Sequence, residues 1–307
     1  MQNILLYLVT VLIWGSTWFA IEFQLGEVAI EVSLLYRFAI AAVLMWLFCW
    51  YKKLDMRFTL RQHGFILLLA TLNFAVNFLF IYQAQQYLTS AMTAIAFTTM
   101  LLMNIVNTRL FFGKPVAKRI YFGALMGIAG IVVLFWPDLD GLDLTNASLI
   151  GLLLILSGAL SASFGNMVSV RNSREGMPIM QVNAWGMLYG SGVLLLAALW
   201  QGQQFNFSTE PAYLASLLYL AIFGSVIAFA SYFALLKKIG PEKASYTIVL
   251  FPLVAVVLST LFEGFSWTSY TFSGFALVLL GNAIVLTPFE RIRALLRPAT
   301  VIPEPMA

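Results

Sequence analysis

Polar and aromatic side chains recur at helical spacing inside runs that are otherwise apolar. Thr10, Trp14, Thr17, Trp18 and Ile21 fall on one face of a helix, and Asn73 and Asn77 repeat at i, i+4. Thr93, Phe97 and Thr98 stand together in a later run. Ser157, Ser161, Phe164 and Gly165 share a face in another, and Tyr232 and Tyr246 mark two more. Hydroxyls and amides are costly against lipid, so they turn toward neighbouring helices or a wet cavity. An indole face can hold an aromatic or aliphatic side chain, or an ammonium group by cation–π attraction. The chemistry on offer is therefore recognition rather than bond-making.

Catalysis would need a nucleophile, a base or metal ligands within the span. The single histidine, His63, sits at the edge of an apolar run beside Arg61. The apolar runs contain no aspartate, no His-x-x-x-His and no paired carboxylates. The single Cys49 excludes an intrachain disulfide and a cysteine metal cluster. No catalytic residue, metal or cofactor is called for. Two charges stand apart from this neutral set. Glu22 closes the first run, and Arg37 lies about five residues into the second, on the same side. They are expected to pair across the short hairpin, because a buried charge needs a partner. The alternative roles are proton coupling for Glu22 and a substrate carboxylate for Arg37.

These side chains ride on ten apolar segments, at about 3–22, 32–51, 64–84, 89–112, 119–136, 148–170, 179–200, 212–236, 244–262 and 270–289. Each can cross ~30 Å of hydrocarbon as a helix. Only 10% of the 307 residues are charged and 61% are hydrophobic, too little polarity to cover a soluble surface. The expected fold is all-α and membrane-integral, multi-pass in the inner (plasma) membrane, with ten helices. Cations cluster after helices 2, 4, 6, 8 and 10, so 16 of the 17 lie on one side. By the positive-inside rule that side is cytoplasmic, as are both termini. The excess positive charge thus marks topology rather than nucleic-acid binding. Trp46, Trp50, Trp136, Trp200 and Trp267 fit an interfacial belt, whereas Trp14 lies near the midplane, where a belt does not explain it.

The halves resemble each other. At an offset of 151, Leu102, Val106, Leu110, Phe111, Gly113, Gly123, Gly130 and Pro137 match Leu253, Val257, Leu261, Phe262, Gly264, Gly274, Gly281 and Pro288. Small shifts bring Ser16 and Phe19 onto Ser161 and Phe164, and Tyr82 and Ala84 onto Tyr232 and Ala234. This divides the chain into a first five-helix repeat at 1–140, a second at 147–290 and a cytoplasmic tail at 291–307. An odd number of helices per repeat makes the second insert upside down, as in secondary transporters. Gly123/Gly127 and Gly186/Gly190 allow close helix approach within the monomer, with a homodimer as the alternative. Pro252 should kink helix 9 and serve as a hinge.

The chain resembles the drug/metabolite transporter superfamily, specifically its ten-helix EamA-type exporters. The resembling residues are Ile13-Trp14-Gly15-Ser16-Thr17-Trp18-Phe19, Tyr36-Arg37-Phe38, Gly123 to Gly130, and the stretch from Ala244 through Pro252 to Glu263-Gly264. They span essentially residues 3–289. Leu101 departs from the repeat, standing where the second half has Pro252, and Lys114 follows Gly113 where a glutamate is common. The resemblance implies a central cavity and export of small metabolites, such as amino acids. The apparent lack of a buried cation in the central spans adds that the cargo is neutral or zwitterionic. A membrane-embedded enzyme and a channel-forming subunit are the other classes to weigh.

Overall fold

A computed structural model describes residues 2–113, 115, 117–138, 146–244 and 247–287. Regular structure among the described residues is helical throughout. Helix α1 spans Gln2–Glu22, α2 Ile30–Tyr51, α3 Leu60–Gln85, α4 Ser90–Phe112 and α5 Lys118–Leu134. The second half follows with α6 Ala147–Arg174, α7 Ile179–Trp200, α8 from Pro211 to Ala244, α9 Thr247–Phe262 and α10 Ser269–Leu286. Eight of these are long and apolar enough to cross a membrane, and α9 is a shorter apolar helix. In lipid every backbone N–H and C=O must be satisfied internally, and helices do this without a partner. The proposed 291–307 tail lies outside the described residues.

Three helices are less regular than their composition foretells. α3 passes through a π-helical stretch at Thr71–Val76, and α8 does the same at Tyr219–Ile227. Such wide turns are rare and concentrate at functional sites. α4 breaks between Phe97 and Met100, where the Thr98 and Thr99 hydroxyls donate to the carbonyls of Ile95 and Ala96 at 2.7 Å each. Hydroxyl bonds to the preceding turn compete with the regular ladder. α6 and α8 also run past their apolar segments, since hydropathy marks where a helix leaves lipid rather than where it ends.

The packing partners come in matched pairs. α1 packs on α9 and α8, as α6 packs on α4 and α3. α2 meets α8 as α7 meets α3, while α2–α7, α4–α9 and α5–α10 join corresponding helices directly. The α5–α10 contact is made through glycine. A Cβ on Gly123 would lie 2.6 Å from the Gly281 carbonyl oxygen, and one on Gly281 would lie 2.6 Å from that of Gly123. Gly130 and Gly274 meet in the same reciprocal way at 2.8 Å. The second glycine pair on α7, Gly186 and Gly190, receives the Phe74 ring of α3. Both glycine motifs are used within the chain.

Candidate functional site

A cavity of about 320 Å³ lies between the halves. α1 contributes Trp14, Thr17, Trp18 and Ile21, the i, i+3, i+4, i+7 face read in the sequence. Thr10 of that face lies outside the cavity and donates to the Leu6 carbonyl at 2.8 Å. Trp14 meets Phe229 and Tyr232 of α8 at centroid distances of 5.5 and 5.1 Å. Trp18 stacks on Phe251 of α9 at 5.8 Å and tilts against Phe97 of α4 at 5.2 Å. Two aromatic clusters from both halves thus form one wall. The Thr17 hydroxyl donates to the Trp14 carbonyl at 2.7 Å, so it closes its own helix turn.

The opposite wall is α3, α6 and α7. Asn73, Phe74, Asn77, Phe78 and Ile81 line it from α3, Ala162, Asn166 and Ser169 from α6, and Ile179 and Asn183 from α7. Met100 of α4, Gly224 of α8 and Ile248 of α9 complete the lining. Asn77 Nδ2 donates to the Asn73 carbonyl at 3.4 Å. The Asn73 side chain is lodged against Gly165, where any Cβ would strike it. The glycine is what lets this amide sit between α3 and α6.

Thr98, Ser161 and Phe164 do not line the cavity. The Thr98 hydroxyl is spent on the backbone at the α4 break. The Ser161 hydroxyl donates to the Leu72 carbonyl at 2.8 Å, tying α6 to the π-helical stretch of α3. Helical rotation explains the displacement: 161 and 165 face α3, while 162, 166 and 169 face the cavity. Phe164, one step further round, is exposed and packs edge-on to Phe111. Pro252 is buried inside α9 beside Phe251, at the place where Gly15 brings α1 against the Phe251 carbonyl. Tyr246 lies outside the described residues. Asn166 and Asn183, not anticipated, carry the same signal as Asn73 and Asn77, an amide within an apolar run.

Arg37 corrects two expectations. It makes no ion pair with Glu22. Its Nη1 donates to the Tyr82 hydroxyl at 3.2 Å and its Nε to the Ser225 hydroxyl at 3.4 Å, with the guanidinium 4.6 Å from the Phe78 ring centre. Rotation about α2 turns it toward α3 and α8, whereas Glu22 stays exposed at the end of α1, where the charge acting on it is that of Glu263. Arg37 is only 3% exposed and lines the cavity, so the central spans do hold a buried cation.

The cavity opens at one end. Trp14, Asn166, Ser169, Ile179 and Tyr232 are partly exposed, whereas Trp18, Ile21, Arg37, Asn77 and Ile81 are buried. Hydrogen bonds between helices seal the buried end. Gln85 donates to the Trp18 carbonyl at 2.9 Å, and Gln24 donates to the Tyr213 carbonyl at 2.9 Å and to the Ser216 hydroxyl. The Ser90 N–H donates to Glu263 Oε2 at 2.9 Å, and the Ser259 hydroxyl donates to the same oxygen at 2.6 Å. α1 is thereby tied to α3, the turn between α1 and α2 to α8, and α4 to α9.

A family model described as the EamA-like transporter family matches residues 1–136 and again 149–287. The inner membrane transporter YedA of Escherichia coli K12, named as uncharacterized, is 30% identical over 293 residues, 92% of either chain. Protein PagO of Salmonella typhimurium is 25% identical over 87% of each chain. Transporter YoaV of Bacillus subtilis is 25% identical over 83% of this chain and 87% of its own. A solved crystal structure shares the fold at a TM-score of 0.67 and 18% identity, covering 96% of this chain and 99% of its own. Two family matches spanning nearly the whole chain, helices that suit a bilayer and a cavity between the halves lead to one assignment: this chain belongs to the EamA-like transporter family, a multi-pass inner-membrane transporter and not an enzyme.

Proposed function

We propose that the protein exports a small zwitterionic metabolite, amino-acid-like in size and character, by alternating access. The observation that carries this reading is a cavity lined from both halves that is open at one end and sealed at the other. The two segments matched by the family model, the paired helix contacts and the reciprocal glycines support two five-helix repeats related by a two-fold axis. The antiparallel course of α5 and α10 agrees with inversion of the second repeat: contacts rise along one helix as they fall along the other. The cation-rich ends of α2, α6 and α8 orient the open end toward the cytoplasm. The described conformation is then the loading state of an exporter. Pro252 has no N–H to offer the Ile248 carbonyl four residues back, and we assign it the hinge of α9. The cavity's amides and aromatic rings suit a cargo with a polar head and an apolar side chain.

Cross-linking tests the mechanism. Gln24→Cys with Ser216→Cys, in a Cys49→Ser background, places two thiols across the sealed end. A short bifunctional methanethiosulfonate should stop transport in proteoliposomes, and reductant should restore it. Transport that continues with the sealed end cross-linked would refute alternating access and favour a different route.

A further inference from the structure

We infer that Arg37 is the receptor for a carboxylate on the cargo, and that this carboxylate, not an ammonium group, is the feature the cavity requires. The inference rests on the carrier reading above. Arg37 sits at the sealed end and is 3% exposed. A lone cation at that depth is expensive unless something offsets its charge. Among the described residues its partners are neutral: the hydroxyls of Tyr82 and Ser225 and the π faces of Phe38 and Phe78. Its two hydrogen bonds are made by Nε and Nη1, while Nη2 faces Gly224, where even an added Cβ would stay 3.7 Å away. A guanidinium has five N–H donors in a planar fork, and this one retains an edge that suits a bidentate carboxylate.

The rest of the lining settles the other end of the cargo. Neither aspartate nor glutamate lines the cavity among the described residues, so no formal negative charge meets an ammonium group there. A cationic amine would face Arg37 with no compensating anion. An apolar carboxylate, with or without an amino group, finds a cation for its head and aromatic rings for its tail. The position also links recognition to motion. Arg37 joins Tyr82 of α3 to Ser225 in the π-helical stretch of α8, so a carboxylate arriving there touches the seam between the halves.

One skeleton with four head groups provides the test: L-phenylalanine, 3-phenylpropanoate, L-phenylalaninamide and 2-phenylethylamine. Binding to the purified full-length protein and counterflow in proteoliposomes are measured for each. The two carboxylates should bind and be carried, and the amide and amine should be at least roughly 10-fold weaker, as expected for a charge-assisted hydrogen-bonded pair. Arg37→Gln should cost the carboxylates roughly 10- to 100-fold and leave the amide and amine no weaker. Arg37→Lys, which keeps the charge but loses the fork, should retain the carboxylate preference with weaker binding. Equal binding of all four compounds, or an equal loss for all four in Arg37→Gln, would overturn the inference while leaving the carrier intact. Failure of both carboxylates to bind also overturns it, and the cross-link at the sealed end then judges the carrier reading separately.

Discussion

The glycine crossings of α5 and α10 yield a sharp prediction, because the same substitution should change sign with position. Gly281→Ala places a Cβ 2.6 Å from the Gly123 carbonyl oxygen and 2.8 Å from the Gly127 nitrogen. Ordinary contact begins near 3.4 Å, and both obstacles are backbone, which cannot rotate away. The helices must part by about 0.8 Å, enough to forfeit a quarter to a half of the dispersion along their seam. Overpacking of this kind costs about 1–3 kcal/mol. Gly192→Ala, in the middle of α7 with no atom within 4 Å of its Cβ, should instead gain up to about 1 kcal/mol of helix propensity. In detergent-solubilised protein, Gly281→Ala should therefore melt roughly 2–10 °C below Gly192→Ala. Gly123→Ala should behave like Gly281→Ala, and the double variant should fall short of the sum, because both Cβ atoms press on a gap that either one alone has opened. Strict additivity, or a Gly281→Ala protein as stable as Gly192→Ala, would show that the crossing is not closed by glycine.

Three further outcomes follow from the cavity and its seal. Gly165→Ala should push the Asn73 amide off α6 and lower cargo affinity about 10-fold or more, while Gly64→Ala, with open space at its Cβ, should not; equal binding by both would refute the lodged-amide account. Trp14→Ala removes the ring that faces Phe229 and Tyr232 and should weaken binding of an apolar cargo roughly 10-fold, whereas Trp200→Ala, 90% exposed, should leave it unchanged in the same equilibrium assay. Glu263→Gln weakens a carboxylate that accepts from Ser90 and Ser259 at the sealed end, a loss of about 1–2 kcal/mol. Thiol labelling of Ile21→Cys from the outer side should then accelerate roughly 5- to 30-fold, and an unchanged rate would remove Glu263 from the seal.

What the sequence discloses is set by range. Apolar runs mark the helices because lipid acts on every residue of a span, and the Trp14–Ile21 face is readable because its period is local. The π-helical stretches in α3 and α8 leave no such mark, since a one-residue widening depends on the helices packed around it. Pairing Arg37 with Glu22 follows from two opposite charges that fall inside adjacent apolar runs on one side of the membrane. Their contact depends on how α2 and α1 are rotated about their axes, and the tertiary fold turns Arg37 toward Tyr82 and Ser225 instead. On α6, Ser161 lies roughly 100° and Phe164 roughly 160° round from the face that 162, 166 and 169 turn to the cavity, a rotation about the axis that local spacing does not fix.

Ser161 and Phe164 match Ser16 and Phe19 of the first half, yet none of the four lines the cavity. The same holds for Gly123, Gly130, Gly274 and Gly281, which close α5 on α10, and for Leu102, Val106, Leu253 and Val257. Of the residues that repeat, Tyr232 lines the cavity, as do Phe78 and Phe229, which match at the offset of 151; the counterpart of Tyr232, Tyr82, is fully buried and holds Arg37. Arg37 itself has no charged counterpart, since α7 carries none between 182 and 187, where the offsets of 145 to 150 would place it. Under the proposed carrier mechanism, the repeated glycines belong to a scaffold that must look alike from both sides of the membrane, and the proposed carboxylate would find its cation, Arg37, at one end of the cavity and not at the other.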